Sequence, residues 1–264
     1  MGSLPLWGSL AGLLGAWTVG GSAQARADVL TGLTPPITRL APRWPVSLVV
    51  PAYNEERYIA RLLESARNQT EPFYEVIVAD CSDPGDATGE IARSYGAQVL
   101  RVPYGNIARS RNLGAAVAQG TVVAFADADM VLAQDLLRLH LDALEEGAVL
   151  ATARLAWYDS AFWNAFLHLP QYFRSGAAWA SGCQVMPAQV FWSVGGLDET
   201  CNPMEAWCLE MVNLAQRVQM AYGRGSVRLL GFLVGCSARR YQRQGVRFGS
   251  ETFRIPVRAE VHHE

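Results

Sequence analysis

Lysine is absent from the 264 residues, so all 22 basic side chains are arginine. That excludes Schiff-base chemistry and a Walker-type lysine over a phosphate. Any basic grip on phosphate therefore belongs to arginine. Cysteine is sparse: Cys81, Cys183, Cys201, Cys208 and Cys236 are odd in number and lack Cys-x-x-Cys spacing. They read as reduced thiols, mostly in the core, in the cytosol. Four histidines are too few and too scattered for a zinc constellation, and His262 and His263 lie in a polar tail. Charge is also low, at 17% of residues with a net of -2, which argues against a nucleic-acid partner. The arginines are uneven, however. Arg224, Arg228, Arg239, Arg240, Arg243, Arg247, Arg254 and Arg258 give the C-terminal part a basic character suited to anionic phosphates or lipid headgroups. No Gly-x-Gly-x-x-Gly follows the first strand-like run; Pro51, Ala52, Tyr53, Asn54 and Glu55 stand there, against a conventional dinucleotide-binding domain.

What the chain does have is apolar content, 50% of residues, enough to bury a full core as one domain with an appendage. From Val46 apolar runs alternate with amphipathic stretches. Val46 to Val50, Glu75 to Ala79, Gln98 to Val102 and Thr121 to Phe125 read as strands. Glu55 to Asn68, Asp86 to Tyr95 and Ile107 to Gln119 read as helices between them, with Gly96 closing the second. This is the rhythm of an α/β fold with a parallel sheet. In such sheets ligands bind outside the carboxyl ends of the strands, where Tyr53, Asp80 and Asp127 to Asp129 all fall.

Asp127 and Asp129 flank Ala128 directly behind the apolar run Thr121 to Phe125. Alternate side chains share a face of a strand. Two carboxylates so placed suit Mg²⁺ or Mn²⁺, hard ions completed by water and a substrate's phosphates. An ordinary turn after a strand is the plainer alternative for Asp-x-Asp. Tyr53 can stack on a nucleobase whose polar edge Asp80 would read, or they are a packing tyrosine and a capping aspartate.

The combination is more specific than its parts. Leu48 to Ala52 with Tyr53, Asn54, Glu55 and Glu56, then Ala79 to Ser82, then Arg111 to Gly114, then Asp127 to Asp129 together resemble a family 2 glycosyltransferase of the GT-A fold. The resemblance covers roughly Pro45 to Arg240 and implies a Rossmann-like, mostly parallel central sheet flanked by helices. It implies a nucleotide-sugar-binding half at 45–130, an acceptor-binding half at 131–245 and a C-terminal tail at 246–264. By the same resemblance Tyr53, Glu55, Asp80, Arg111 and Asp127 hold the donor, and Asp129 with Asp127 holds the metal. Ala180 to Cys183 and Val194 to Glu199 resemble the acceptor-side segment that shapes the sugar pocket. Cys236 to Arg240 resembles a Thr-Ser-Ala-Arg-Arg stretch, implying that Arg239 and Arg240 close over the diphosphate; a solvated basic loop is the alternative.

One departure stands out. The family carries Glu-Asp-x-Asp or Glu-Asp-x-Glu at the head of a helix, the aspartate after the glutamate being the catalytic base. Here Glu205, Ala206, Trp207 and Cys208 occupy that place. Alanine cannot take a proton, so Glu205 is the nearest substitute base and Glu210 the next. Glu205 can equally cap the helix or pair with an arginine. The implied activity is metal-dependent, inverting transfer of a sugar from a nucleoside diphosphate sugar to an acceptor hydroxyl or lipid phosphate. The alternative is a noncatalytic nucleotide-sugar-binding or scaffold protein on the same fold. A nucleotidyltransferase, releasing pyrophosphate instead, is a more distant rival.

Ahead of this body, Leu4 to Val19 is uncharged and apolar, roughly 24 Å if helical. That is slightly short of a ~30 Å hydrocarbon core. Residues 1–20 are expected to form a membrane-anchoring or transmembrane helix, and 21–44 a proline-rich linker. Arg26, Arg39 and Arg43 follow the apolar run, which places the catalytic domain on the cytoplasmic side of the cell membrane. A signal peptide cleaved near Ser22 to Ala25 is the rival reading. Trp157, Tyr158, Phe162, Trp163, Phe166, Tyr172 and Phe173 offer either a face for a lipid acceptor or the packed side of a helix.

Overall fold

The structure is a computed structural model that describes residues 44–160, 182–201, 209–239, 246–248 and 251–253. The expected N-terminal helix and linker lie outside them, as do Glu205, Ala206, Cys208, Arg240 and the aromatics from Phe162 to Phe173. No helix among the described residues is long and apolar enough to cross a membrane.

Three strand-helix units open the fold: β1 (Val46–Ala52), α1 (Ile59–Arg67), β2 (Glu75–Asp80), α2 (Thr88–Ser94), β3 (Gln98–Arg101) and α3 (Ile107–Val117). Then come β4 (Val122–Phe125), β5 (Val131–Leu132), α4 (Leu136–Glu145), β6 (Leu150–Trp157), β7 (Gln184–Pro187), α5 (Ala188–Ser193), α6 (Leu209–Tyr222) and β8 (Val227–Cys236). A hairpin of β9 (Val246–Phe248) and β10 (Glu251–Phe253) follows. The main sheet runs β3-β2-β1-β4-β7-β6-β8-β5. Its first four strands are parallel, as the periodicity predicts. The second half is mixed: β7 is antiparallel to β4 and β6, and β5 to β8, while β6 and β8 are parallel.

Every residue of β1 and β4 is buried, because helices cover both faces. On one face Val46, Leu48 and Val50 meet Leu62 of α1, Ala92 of α2 and Leu137 and Leu141 of α4. On the other, Val49, Val123 and Phe125 meet Ala108 and Ala115 of α3, Phe191 of α5 and Leu214 of α6. Ser47, a polar residue inside β1, is satisfied: its hydroxyl donates to Glu75 Oε1 at 2.6 Å and accepts from the Gly120 amide at 2.8 Å.

The element ends differ from the sequence pattern for local reasons. The first helix begins at Ile59, not Glu55. Asn54 sits in the left-handed region at φ 54°, and the Tyr58 and Ile59 amides both donate to the Glu55 carbonyl in a turn. Gly96 does terminate α2, at φ 84° with its amide on the Arg93 carbonyl. Trp157 and Tyr158 lie at the end of a strand rather than on a helix. Trp157 is buried, and the Tyr158 hydroxyl donates to the Asp129 carbonyl at 3.0 Å.

The chain runs outward from β1 to β2 and β3, then returns to place β4 on the other side of β1. A crevice therefore opens at the carboxyl ends of β1 and β4, the switch point at which such sheets bind ligands.

Candidate active site

A cleft of about 370 Å³ occupies that crevice. The turn after β1 supplies Tyr53 and Glu55, the segment after β4 supplies Asp127, Ala128 and Asp129, and β6 and the end of β8 supply Trp157, Cys236, Ser237 and Arg239.

One end of the cleft is aromatic. Tyr53 and Tyr104 face each other with ring centroids 4.6 Å apart at 50°. The Tyr53 hydroxyl donates to Asp83 Oδ2 at 3.0 Å, and Asn54 reinforces the same loop: its side-chain amide donates to Asp83 Oδ2 at 2.8 Å and its Oδ1 accepts from the Asp83 amide at 2.9 Å. The loops after β1 and β2 are thereby tied together.

The other end is charged. Arg239 bridges Glu55 and Asp129, with Nε 3.3 Å from Asp129 Oδ2, and its guanidinium lies 4.2 Å from the centroid of the Tyr58 ring. Burial pushes the Asp129 carboxyl up to about 7; the neighbouring Asp127 and Glu55 charges add to the rise and Arg239 opposes it. Glu55 is raised for the same first reason, burial, and its Oε2 has no hydrogen-bond partner among the described residues. Among the described residues Glu55, Asp127 and Asp129 outnumber the two guanidinium groups that reach them, those of Arg239 and Arg111, which leaves an excess of negative charge. No group of three or more acidic, histidine or cysteine ligands is assembled among the described residues. Asp127 and Asp129 offer carboxylate oxygens to the cleft, the donor type that suits a hard ion also held by phosphates and water.

Two expected donor contacts sit elsewhere. Asp80 is buried at the end of β2 and does not line the cleft. Its Oδ2 takes the Arg101 guanidinium at 2.8 Å and its Oδ1 the Ser82 amide at 2.9 Å. Burial raises this carboxyl, but the Ser82 hydrogen bonds and Arg101 outweigh it and hold it below the ordinary carboxylate range. Arg111 is likewise buried, beneath Asp127, which it holds by an ion pair, and its other arm reaches Glu210 Oε1 at 2.9 Å. It acts on the cleft through Asp127. Glu210, the second substitute base considered above, is sealed in that pair.

Other contributors escaped the sequence reading. Tyr104 and Asn106 line the cleft, Tyr58 carries the Arg239 guanidinium, and Asp159 fixes the loop bearing Arg239 by accepting from the Ala238 amide at 2.6 Å and from the Ser237 hydroxyl. Only Tyr58, in the turn between Glu55 and α1, had a nearby signal.

Of the acceptor-side segment, Gly195 and Gly196 do form a tight turn, at φ 85° and 66°. Asn112 clamps it from α3: its Oδ1 accepts from the Leu197 amide at 2.9 Å and its side-chain amide donates to the Leu197 carbonyl at 2.8 Å. Arg217 of α6 donates to the Gly196 carbonyl at 2.6 Å.

The sequence profile described as glycosyl transferase family 2 matches residues 47–192. The chain belongs to glycosyl transferase family 2. It is 35% identical over 89 residues to the uncharacterized glycosyltransferase EpsJ of Bacillus subtilis, covering 32% of this chain and 26% of that one. It is 39% identical over 94 residues to the 4,4'-diaponeurosporenoate glycosyltransferase of Staphylococcus haemolyticus, covering 33% and 24% respectively. GlyG of Streptococcus pneumoniae is 27% identical over 131 residues, 47% of this chain and 43% of that one. The chain thus spans less than half the length of each of these relatives. Among solved structures, S. aureus TarS has the same fold with a TM-score of 0.58 at 20% identity, over 73% of this chain and 36% of that one. A shorter form of TarS in complex with UDP-GlcNAc gives 0.55 at 18% identity, over 73% of this chain and 58% of that one. The family match spans β1 to α5 and so contains Tyr53, Glu55, Asp80, Arg111, Asp127 and Asp129 but not Arg239.

Proposed function

We propose that this family 2 chain transfers a sugar from a nucleoside diphosphate sugar to an acceptor hydroxyl or lipid phosphate, with inversion. The observation that carries the reading is the pairing, in one crevice, of an aromatic end at Tyr53 and Tyr104 with a carboxylate end at Glu55, Asp127 and Asp129. A nucleobase suits the first and a cation-bound diphosphate the second. The UDP and UDP-GlcNAc complexes of TarS make uridine nucleotides the first donors to try.

In this reading Tyr53 and Tyr104 take the base on a ring face. Asp127, oriented by Arg111, would hold the ribose or the diphosphate-bound ion, and Asp129 would hold that ion directly. A bound Mg²⁺ or Mn²⁺ would offset the charge that develops on the departing nucleoside diphosphate. Arg239, held between Glu55 and Asp129 at the same end of the cleft, would offer its guanidinium to the diphosphate oxygens. Glu205, the residue proposed to take the acceptor's proton, lies outside the described residues, and Arg240, proposed to assist Arg239, does too. Attachment to the cytoplasmic face of a membrane through residues 4–19 is part of the same proposal, with a lipid or glycan as acceptor.

The noncatalytic alternative draws on one observation: Glu210, the acidic residue in the first turn of α6, is locked to Arg111 and cannot serve as a base. A single experiment separates the two. Purified protein with Mn²⁺ or Mg²⁺ is given a panel of nucleoside diphosphate sugars, with and without polyprenyl phosphate or membrane lipid extract. Release of nucleoside diphosphate from one donor, stimulated by acceptor, is the expected result. Donor binding without release across the panel would leave the scaffold reading, and release of pyrophosphate would indicate nucleotidyl transfer.

A further inference from the structure

Arg111 is held between two carboxylates, with Asp127 on the cleft side and Glu210 on the core side. The side chains of Arg111 and Glu210 are 3% and 4% exposed, whereas that of Asp127 is 31% exposed and lines the cleft. Glu210 has no other ion pair among the described residues, and its Oε2 is buried without a hydrogen-bond partner. A buried carboxylate that is not fully satisfied is costly to keep. The Arg111–Asp127 pair does not need it, since one guanidinium already matches one carboxylate. What Glu210 changes is the sum of charge. Among the described residues the two carboxylates and the guanidinium total -1, and Asp127 presents that charge to the cleft; neutralising Glu210 makes the sum less negative by one.

Resting on the donor-site reading above, we propose that Glu210 is a positioning residue: it neutralises Arg111 from the core side, so that Asp127 keeps its negative charge for the cation-bound diphosphate. Arg111 can then orient the Asp127 carboxylate without cancelling it. Glu210 itself touches neither substrate nor ion.

The test uses the full chain and Mn²⁺ alone, titrated by electron paramagnetic resonance, with thermal melting to report folding. Glu210→Gln keeps the shape and the acceptor oxygen toward Arg111 but removes the charge. It is expected to weaken Mn²⁺ binding about tenfold, the scale on which one neighbouring charge acts at a partly buried site. The double variant Arg111→Gln with Glu210→Gln removes both charges and returns the net value at Asp127 to -1. It is expected to recover Mn²⁺ affinity to within about threefold of wild type, because only a charge effect is restored by deleting a second charge. If the double variant binds no better than Glu210→Gln, or if Glu210→Gln binds like wild type, the inference is overturned while the metal site stands. If the wild-type chain binds no Mn²⁺, the metal reading falls and this inference with it. Should Glu210→Gln fail to melt cooperatively, the neutral double variant, which leaves no unpaired buried charge, carries the comparison with wild type alone.

Discussion

In His140, the one histidine among the described residues, burial and hydrogen bonding conflict. It is fully buried in α4, with Nδ1 2.7 Å from the Leu136 carbonyl oxygen and Nε2 3.2 Å from that of Cys183. A neutral imidazole can donate to only one of them. Two carbonyl acceptors favour the doubly protonated ring, but burial disfavours its charge more strongly and pushes the pKa down to about 4. The unfolded chain, with an imidazole near 6.5, binds the proton more readily than the fold does, so acid favours unfolding. Stability is expected to fall as pH drops below about 6.5 and this contribution to level off near about 4, where folded His140 also takes up a proton. Between about pH 7.5 and about pH 5 the loss is on the order of 1–2 kcal/mol. Urea midpoints at the two pH values check it, and His140→Gln should remove that part of the difference; an unchanged pH dependence in the variant would assign it to other groups.

At the scale of elements, the packing of α3 on β1 turns on Gly114. A Cβ there would come within 2.5 Å of Val49 Cγ1, and Val49 is wholly buried in β1. Alanine inside a helix ordinarily gains about 0.5–1 kcal/mol over glycine. Here overpacking of about 1–3 kcal/mol opposes that gain. Gly114→Ala is therefore expected to destabilise, and Val49→Ala added to it to recover part of the loss; a stabilised single variant would show that the two elements are free to move apart. Strands β1, β2 and β4 stood out because strands covered on both faces become apolar runs, whereas β3, an edge strand with exposed Gln98 and Arg101, was legible from the strand-helix alternation around it. The second half did not stand out: β5 is two residues long, and Gly231 and Gly235 interrupt β8. The positions of Tyr53, Asp127, Asp129 and Arg239 at strand ends were legible from the motifs. The burial of Asp80 and Arg111 was not, because it depends on Arg101 and on Glu210, the latter 99 positions from Arg111. Only the folded chain brings those charges together.

For the whole molecule, the decisive property of the cleft is that its walls come from distant parts of the chain. Tyr53 and Glu55 follow β1, Asp127 and Asp129 follow β4, and Arg239 follows β8, 184 positions from the Glu55 that it contacts. A ligand lying across these walls fastens both halves of the sheet at once, so its binding energy opposes global unfolding rather than the fraying of one loop. At about 100 times the dissociation constant, binding adds about 2.7 kcal/mol. For a chain of this size that corresponds to a rise in melting temperature of roughly 5–10 °C. The expectation is that UDP with Mn²⁺ produces such a rise and that either alone produces less, because the carboxylates at Asp127 and Asp129 repel the diphosphate until a cation lies between them. Asp129→Asn separates this from packing. Asp129 is a buried carboxylate crowded by Asp127 and Glu55, so the neutral variant should melt no lower than wild type without ligand. It should nevertheless lose the part of the shift that needs Mn²⁺. If the variant instead melts well below wild type and keeps the Mn²⁺-dependent shift, Asp129 is a structural partner of Arg239 and the ion binds through other groups.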